Sequence, residues 1–172
     1  MVRLLTDQLL TNSAAVGYLP NHNMDPATIE GGAFGQIWSF TTPKSPLNQV
    51  EQFYSKLLVY TPKATGKQTV IAFSEQNRIY VLDAVNGTLL NSRDLSQQDP
   101  AEAPFLVSDL GNCNDISGTI GITGTPIIDP STETIYFWAK GYRDATTKGW
   151  KNGAYRFHAI DAWTLQERPG FP

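Results

Sequence analysis

An all-β fold of stacked antiparallel sheets is what this sequence predicts, and three observations carry it. One unit is written twice: QNRIYVLDAVNGTLL at 76–90 and GAYRFHAIDAWTLQE at 153–167. Aligned on the Asp-Ala pair, Asp83 matches Asp161, Arg78 matches Arg156 and Ile79 matches Phe157. Each copy is an apolar strand, then Asp-Ala, then a tight turn and a closing strand. Such a hairpin buries its apolar face only against further sheets, so duplication implies stacking. Turn-forming Gly and Pro recur (14 and 11), and aromatics make up 11% of the chain, a composition suited to short strands. The chain shows no sustained helical periodicity.

Residues 1–33 read as an irregular lead-in that packs on the surface of the β region. Leu4–Leu10 offers a short helix, but Asn12, Gly17, Pro20 and Pro26 break up the residues beyond it. Asp25 before Pro26 is an N-cap followed by Pro at the first helical position, which predicts one turn of helix over 26–30. From residue 34 the signal is strand after strand: 35–41, 53–60, 68–73 and 78–83. Asn86-Gly87 predicts a type I′ hairpin turn, because these residues accept positive φ. Residues 91–118 read as a long loop. The second unit then begins with 120–125 and 126–128, turns at Asp129–Glu133, and continues through strands 134–140 and 155–162, with a polar excursion over 143–153. The two aspartates stand 78 residues apart, Asp83 to Asp161.

Net charge is −3 and charged residues are 17%, so no basic surplus points to nucleic acid. No apolar run approaches the roughly 18 residues of a membrane span. Asp7 interrupts the first apolar stretch, so residues 1–8 do not read as a signal peptide. Cys113 is the single cysteine, so the chain has no internal disulfide; it is either an idle thiol or half of a disulfide whose partner lies elsewhere.

The string IYVLDAVNGTLL, together with GITGTPIIDP followed by a Tyr-bearing strand and HAID, resembles the repeat of the quinoprotein (PQQ) dehydrogenase-like β-propellers, in particular secreted PQQ-like repeat proteins of fungi and bacteria. The resemblance covers roughly residues 30–168. It implies a partial β-propeller over 34–172, about two four-stranded antiparallel blades plus a lead-in strand. It also implies a secreted or extracellular location. The enzymes of this family hold PQQ and calcium on the ring axis and often set an adjacent cysteine pair against the quinone. That pair is absent here, and no residue maps onto a calcium ligand or the catalytic aspartate. The expectation is therefore a non-catalytic scaffold with no cofactor of its own; the alternative is the N-terminal part of a PQQ- and calcium-dependent dehydrogenase of alcohols or sugars. Two blades leave outer faces uncovered, so the expected partners are missing blades, other chains or a second copy.

Several residues invite chemistry and are weighed against packing. Asp83 and Asp161 recur at equivalent places, which marks a turn carboxylate capping backbone amides. His158 lies on a strand and His22 in a polar loop, without the matched ligands a metal needs. Thr123 and Thr125 could present hydroxyls to a ligand. Asp109, Asn112, Asn114 and Asp115 form an oxygen-rich loop that lacks the spaced carboxylates and terminal Glu of a calcium loop. Asn86-Gly-Thr88 is a glycosylation sequon that the turn itself explains. Trp38, Trp138, Trp150 and Trp163 could form a stacking platform; Trp138 is expected in the core, with Trp150 and Trp163 exposed. The sequence thus assigns no catalytic or metal-binding residue.

Overall fold

The structure, a computed structural model, describes residues 26–32, 35–44, 50–111 and 115–172. One helical turn, α1 (Pro26–Glu30), stands where Pro26 predicts it. The proposed helix at Leu4–Leu10 and the Asp25 cap lie outside the described residues. Four strands form the first sheet in chain order: β1 (Leu58–Tyr60), β2 (Thr69–Phe73), β3 (Arg78–Asp83) and β4 (Leu89–Asp94). A two-stranded ladder of β5 (Phe105–Leu106) and β6 (Thr119–Ile120) comes next. The second sheet is β7 (Ile127–Asp129), β8 (Thr134–Tyr142) and β9 (Gly153–Asp161), again in chain order and antiparallel. Glu167 makes one bridge to Ile160 where a fourth strand would pair. The fold is therefore all-β, with two sheets of the blade type.

Strand pairing puts the repeat on a firmer footing than letters do. Thr69 pairs with Asp83, and Thr134 with Asp161. Counting back from these anchors makes Ile71 equivalent to Tyr136, Phe73 to Trp138, Ile79 to Phe157, and Leu58 to Ile127. Side chains alternate across a strand, so these residues occupy one corresponding face of each sheet. In the first sheet that face (Leu58, Ile71, Phe73, Ile79, Val81) is fully buried against the opposite face of the second (Ile135, Phe137, Ile160), with Phe73 and Phe137 centroids 5.3 Å apart.

The hairpins share one loop geometry. Asp83 N donates to Thr88 O (2.9 Å) and Gly87 N to Asp83 O (2.9 Å), with Gly87 at φ +72°. In the second unit Asp161 N donates to Gln166 O, Leu165 N to Asp161 O, and Leu165 takes the positive φ, +60°. Asn77 and Glu133 hold it in the β2–β3 and β7–β8 turns. This corrects the type I′ expectation: Asn86 does not have positive φ, and the loop is two residues longer, with its left-handed residue last. Gly87 suits that position for a second reason, since a Cβ there would meet the Trp38 ring at 2.6 Å.

Other boundaries shift for physical reasons. Residues 35–41 form no strand; Trp38 and Phe40 instead lie on the outer face of the first sheet with Ala72, Tyr80 and Leu82, and Trp38 Nε1 donates to Ala84 O (3.1 Å). Of 53–60 only Leu58–Tyr60 pairs, because Phe53 packs by its ring on Tyr80 rather than by its backbone. The 91–118 stretch is not a plain loop: β4 runs to Asp94, then come two 3₁₀ turns, each N-capped by an aspartate (Asp94, Asp99), before β5. Of 120–125 only Ile120 is strand, as the end of β6, since Gly121 turns away to donate to Glu75. The second sheet has three strands where four were expected, because past Asp161 only the Glu167 bridge forms.

Candidate functional site

The tip of the β2–β3 hairpin, Ser74–Asn77, is polar yet buried, and it clasps the two sheets together. Glu75 Oε2 accepts from Gly121 N (2.8 Å) and from Thr123 Oγ1 (2.8 Å). Burial pushes the Glu75 carboxyl above its ordinary value, opposed by those two donors. Asn77 Nδ2 donates to Glu102 O (2.8 Å) and Lys140 O (2.9 Å). Gly121 must be glycine, because a Cβ would sit 2.6 Å from Glu75 O. On the other side of the hairpin Glu51 accepts from Ser74 Oγ and from Tyr80 OH (2.6 Å). The Tyr80 hydroxyl is raised well above its ordinary value, by burial first and by the Glu51 carboxylate second.

His158 lies fully buried under the second sheet, stacked on Phe137 at 4.8 Å and 4°. Its Nδ1 is 2.8 Å from Glu167 Oε1 and donates to it, because a carboxylate oxygen only accepts. Its Nε2 stands 3.8 Å from Glu102 Oε1. Arg93 pairs with Glu167 at 3.0 Å and donates to Leu165 O (2.6 Å), while Arg156 lies 3.9 Å from Glu102. Burial raises the Glu102 carboxyl, with His158 and then Arg156 opposing. This ionic cluster ties β4 and β9 through side chains. Among the described residues no group of three His, Cys, Asp or Glu side chains is placed to hold a metal.

A cleft of about 440 Å³ opens around the edge strand β4, walled by Lys44, Arg78, Tyr80, Arg93, Asp94 and the Thr164–Gln166 loop among others. Its two guanidiniums are engaged: Arg78 Nε with Asp94 at 3.0 Å, and Arg93 as above. The cleft is a polar seam between repeats and holds no nucleophile–base pair among its walls.

The other prominent surface is apolar. On the outer face of β7–β9 stand Ile127, Tyr136, Trp138, Tyr155 and Phe157, with Phe171 alongside. Phe157 is the hub: its ring centroid lies 4.9 Å from Trp138, 6.0 Å from Tyr136 and 6.0 Å from Phe171. Lys140 lies beside them, its ammonium 5.1 Å from the Tyr155 ring.

The residues singled out from sequence now have places. Asp83 Oδ1 accepts from Val85 N (2.8 Å) and Asn86 N (3.2 Å), and Asp161 Oδ1 from Trp163 N (3.0 Å) and Thr164 N (2.7 Å), so both are turn caps. Thr123 serves Glu75, and Thr125 Oγ1 accepts from Lys56 N (3.3 Å). Asp109 Oδ2 accepts from Tyr142 OH (2.7 Å). Asn86 Oδ1 accepts from Thr88 N within the turn. His22, Asn112, Cys113 and Asn114 lie outside the described residues. The tryptophans do not gather: Trp38 covers the first sheet, Trp163 packs partly buried on the main core, and Trp150 is exposed. Trp138 corrects its expectation, because it is exposed on the outer face. Its strand looked apolar on both sides, and only the register shows which side is covered. Glu75, Asn77 and Glu102 were missed, since SEQN and PAE read as ordinary polar turns.

No family model matches the chain, and no curated protein matches it. Among solved structures it is similar to BamB from Moraxella catarrhalis, at 16% identity, with 76% of this chain and 41% of that chain covered and a TM-score of 0.35. The chain thus spans about two-fifths of that protein's length. The fold assignment stands on strand order and register rather than on this overlap.

Proposed function

We propose that this chain is a non-catalytic interaction scaffold, a segment of a PQQ-like propeller of the secreted type that works by presenting a binding surface. One observation carries this reading: the outer aromatic face of the second sheet, where Trp138 is 54% exposed and Tyr155 58%. Contiguous exposed aromatics on a rigid sheet are what protein contacts select, because large rings bury much area at little entropic cost. Secretion and the PQQ-like kinship rest on the sequence resemblance alone. At concentrations low enough to keep the chain dissociated, the apolar fluorophore ANS should bind this face, and Trp138→Lys should remove most of that fluorescence. Purified chain supplied with PQQ, calcium, an electron-accepting dye and an alcohol or aldose should not reduce the dye. Calcium-dependent reduction would replace the scaffold reading with the dehydrogenase one.

A further inference from the structure

We propose that the aromatic face of the second sheet is a homodimer interface, taking the same face of a second copy of this chain about a two-fold axis. The proposal rests on the scaffold reading and names its partner. Repeat equivalence says what kind of surface this is. Ile127, Tyr136, Trp138 and Phe157 correspond by register to Leu58, Ile71, Phe73 and Ile79 of the first sheet. Those four are at most 1% exposed, because another sheet lies on them. The same position in the second unit is open, so the fold itself defines the face as one that takes a sheet.

The rest of the chain decides which sheet. Head-to-tail addition of copies would need the outer face of the first sheet as acceptor. Trp38 and Phe40 already occupy that face, and Trp38 is fixed there by its hydrogen bond to Ala84 O and its seat on Gly87. Among the described residues a second copy therefore has one uncovered sheet face to offer, and it is the aromatic one. A two-fold axis pairs like with like, an isologous contact. Aligned sheets stack about 10 Å apart, which lets both sets of rings interdigitate. With aromatic side chains of about 150–250 Å² each, the exposed parts of Trp138, Tyr155, Phe157 and Phe171, with Ile127, make an apolar centre of roughly 400–500 Å². That is about half of the roughly 800 Å² per partner of a standard interface, the size of a weak contact that dilution dissociates. Lys140, the charge beside the centre, is drawn over the Tyr155 and Phe105 rings.

Light scattering across a dilution series, from tens of micromolar to well below one micromolar, reads the outcome. The expected mass is twice the monomer's at the top of the series and falls towards one monomer on dilution. Trp138→Lys and, independently, Tyr155→Lys should weaken association at least tenfold while far-ultraviolet circular dichroism stays that of the parent. Val85→Lys, at the exposed tip of the β3–β4 hairpin, should dimerise as the parent does. A parent that stays monomeric but binds ANS through Trp138 overturns the second copy as occupant and leaves the scaffold reading standing. A monomer that binds no ANS overturns both. Masses that keep growing with concentration mean head-to-tail addition and overturn the two-fold contact, as does a lysine variant that dimerises unchanged.

Discussion

Removing the Asp161 carboxylate should cost about twice what removing Asp83 costs, although the two occupy one position in the repeat. Asp161 Oδ1 accepts from Trp163 N, Thr164 N and Thr164 Oγ1 at 2.7–3.0 Å, and Oδ2 pairs with Arg168 at 3.1 Å. Asp83 holds two amides, at 2.8 and 3.2 Å. Water can replace much of what either loses, so each amide bond is worth about 0.5–1 kcal/mol rather than the value for a buried donor. The partly exposed Arg168 pair adds up to about 1 kcal/mol. Asp161→Ala should therefore lower stability by about 2 kcal/mol and Asp83→Ala by about 1 kcal/mol, read from urea midpoints at constant slope. Asp161→Asn, which keeps an acceptor and loses the charge, should fall between parent and alanine. The Asp161 carboxyl sits below its ordinary value: burial pushes it up, but the Thr164 and Trp163 amides outweigh that. A depressed folded pKa gives stability that is present above the unfolded value and lost as pH falls through the folded one. The gap between parent and Asp161→Ala should thus close on acidification below the usual carboxylate range. Equal midpoints for both alanine variants and the parent, or a gap independent of pH, would refute the capping argument.

The clasp offers a titration of opposite sign. Glu75 has its folded pKa raised, so its ionisation opposes folding as pH climbs from the ordinary carboxylate range through the raised value; Glu75→Gln should flatten that part of the stability–pH curve in calorimetry. Glu75→Ala leaves the buried Gly121 amide without its acceptor and should cost about 1–3 kcal/mol in thermal or urea unfolding. Gly87→Ala combines a positive φ with a Cβ driven into Trp38, so it should destabilise by about 1–2 kcal/mol and change Trp38 fluorescence. The Tyr142 hydroxyl, pushed up to about 12 by burial, accepts from Leu106 N and donates to Asp109; Tyr142→Phe should cost about 1 kcal/mol by chemical denaturation.

The repeat, the strand order within each sheet and the role of the two aspartates were legible in sequence, because Asp-Ala after an apolar strand is a local signal and local signals survive translation into structure. The turn type was not. Its left-handed residue is Gly in one copy and Leu165 in the other, and a leucine gives no hint that it adopts φ +60°. Trp38 and Phe40 looked like strand residues because aromatic content is shared by strands and by segments laid across a sheet; only the absence of ladder bonds separates them. The aromatic face could be expected as an uncovered surface, but not located. Its residues alternate with Ile135, Phe137 and Ala139, which are equally apolar, and which set faces the core depends on the neighbouring sheet. The buried partners Glu75, Asn77 and Glu102 answer to long-range contacts with Gly121, Lys140 and Arg156, and no short window of sequence contains both members.

The segment that carries Trp38 and Phe40 does more than fill space. Stacked repeats grow as long as each sheet leaves a receptive face for the next, and nothing in a repeat's own geometry sets a length. By lying across the first sheet and bonding to Ala84, this segment makes the two outer faces of the described stack unlike. Among the described residues one face is screened by its own chain and the other presents its rings, so the first is a surface of fixed composition and the second one that a contact can reshape.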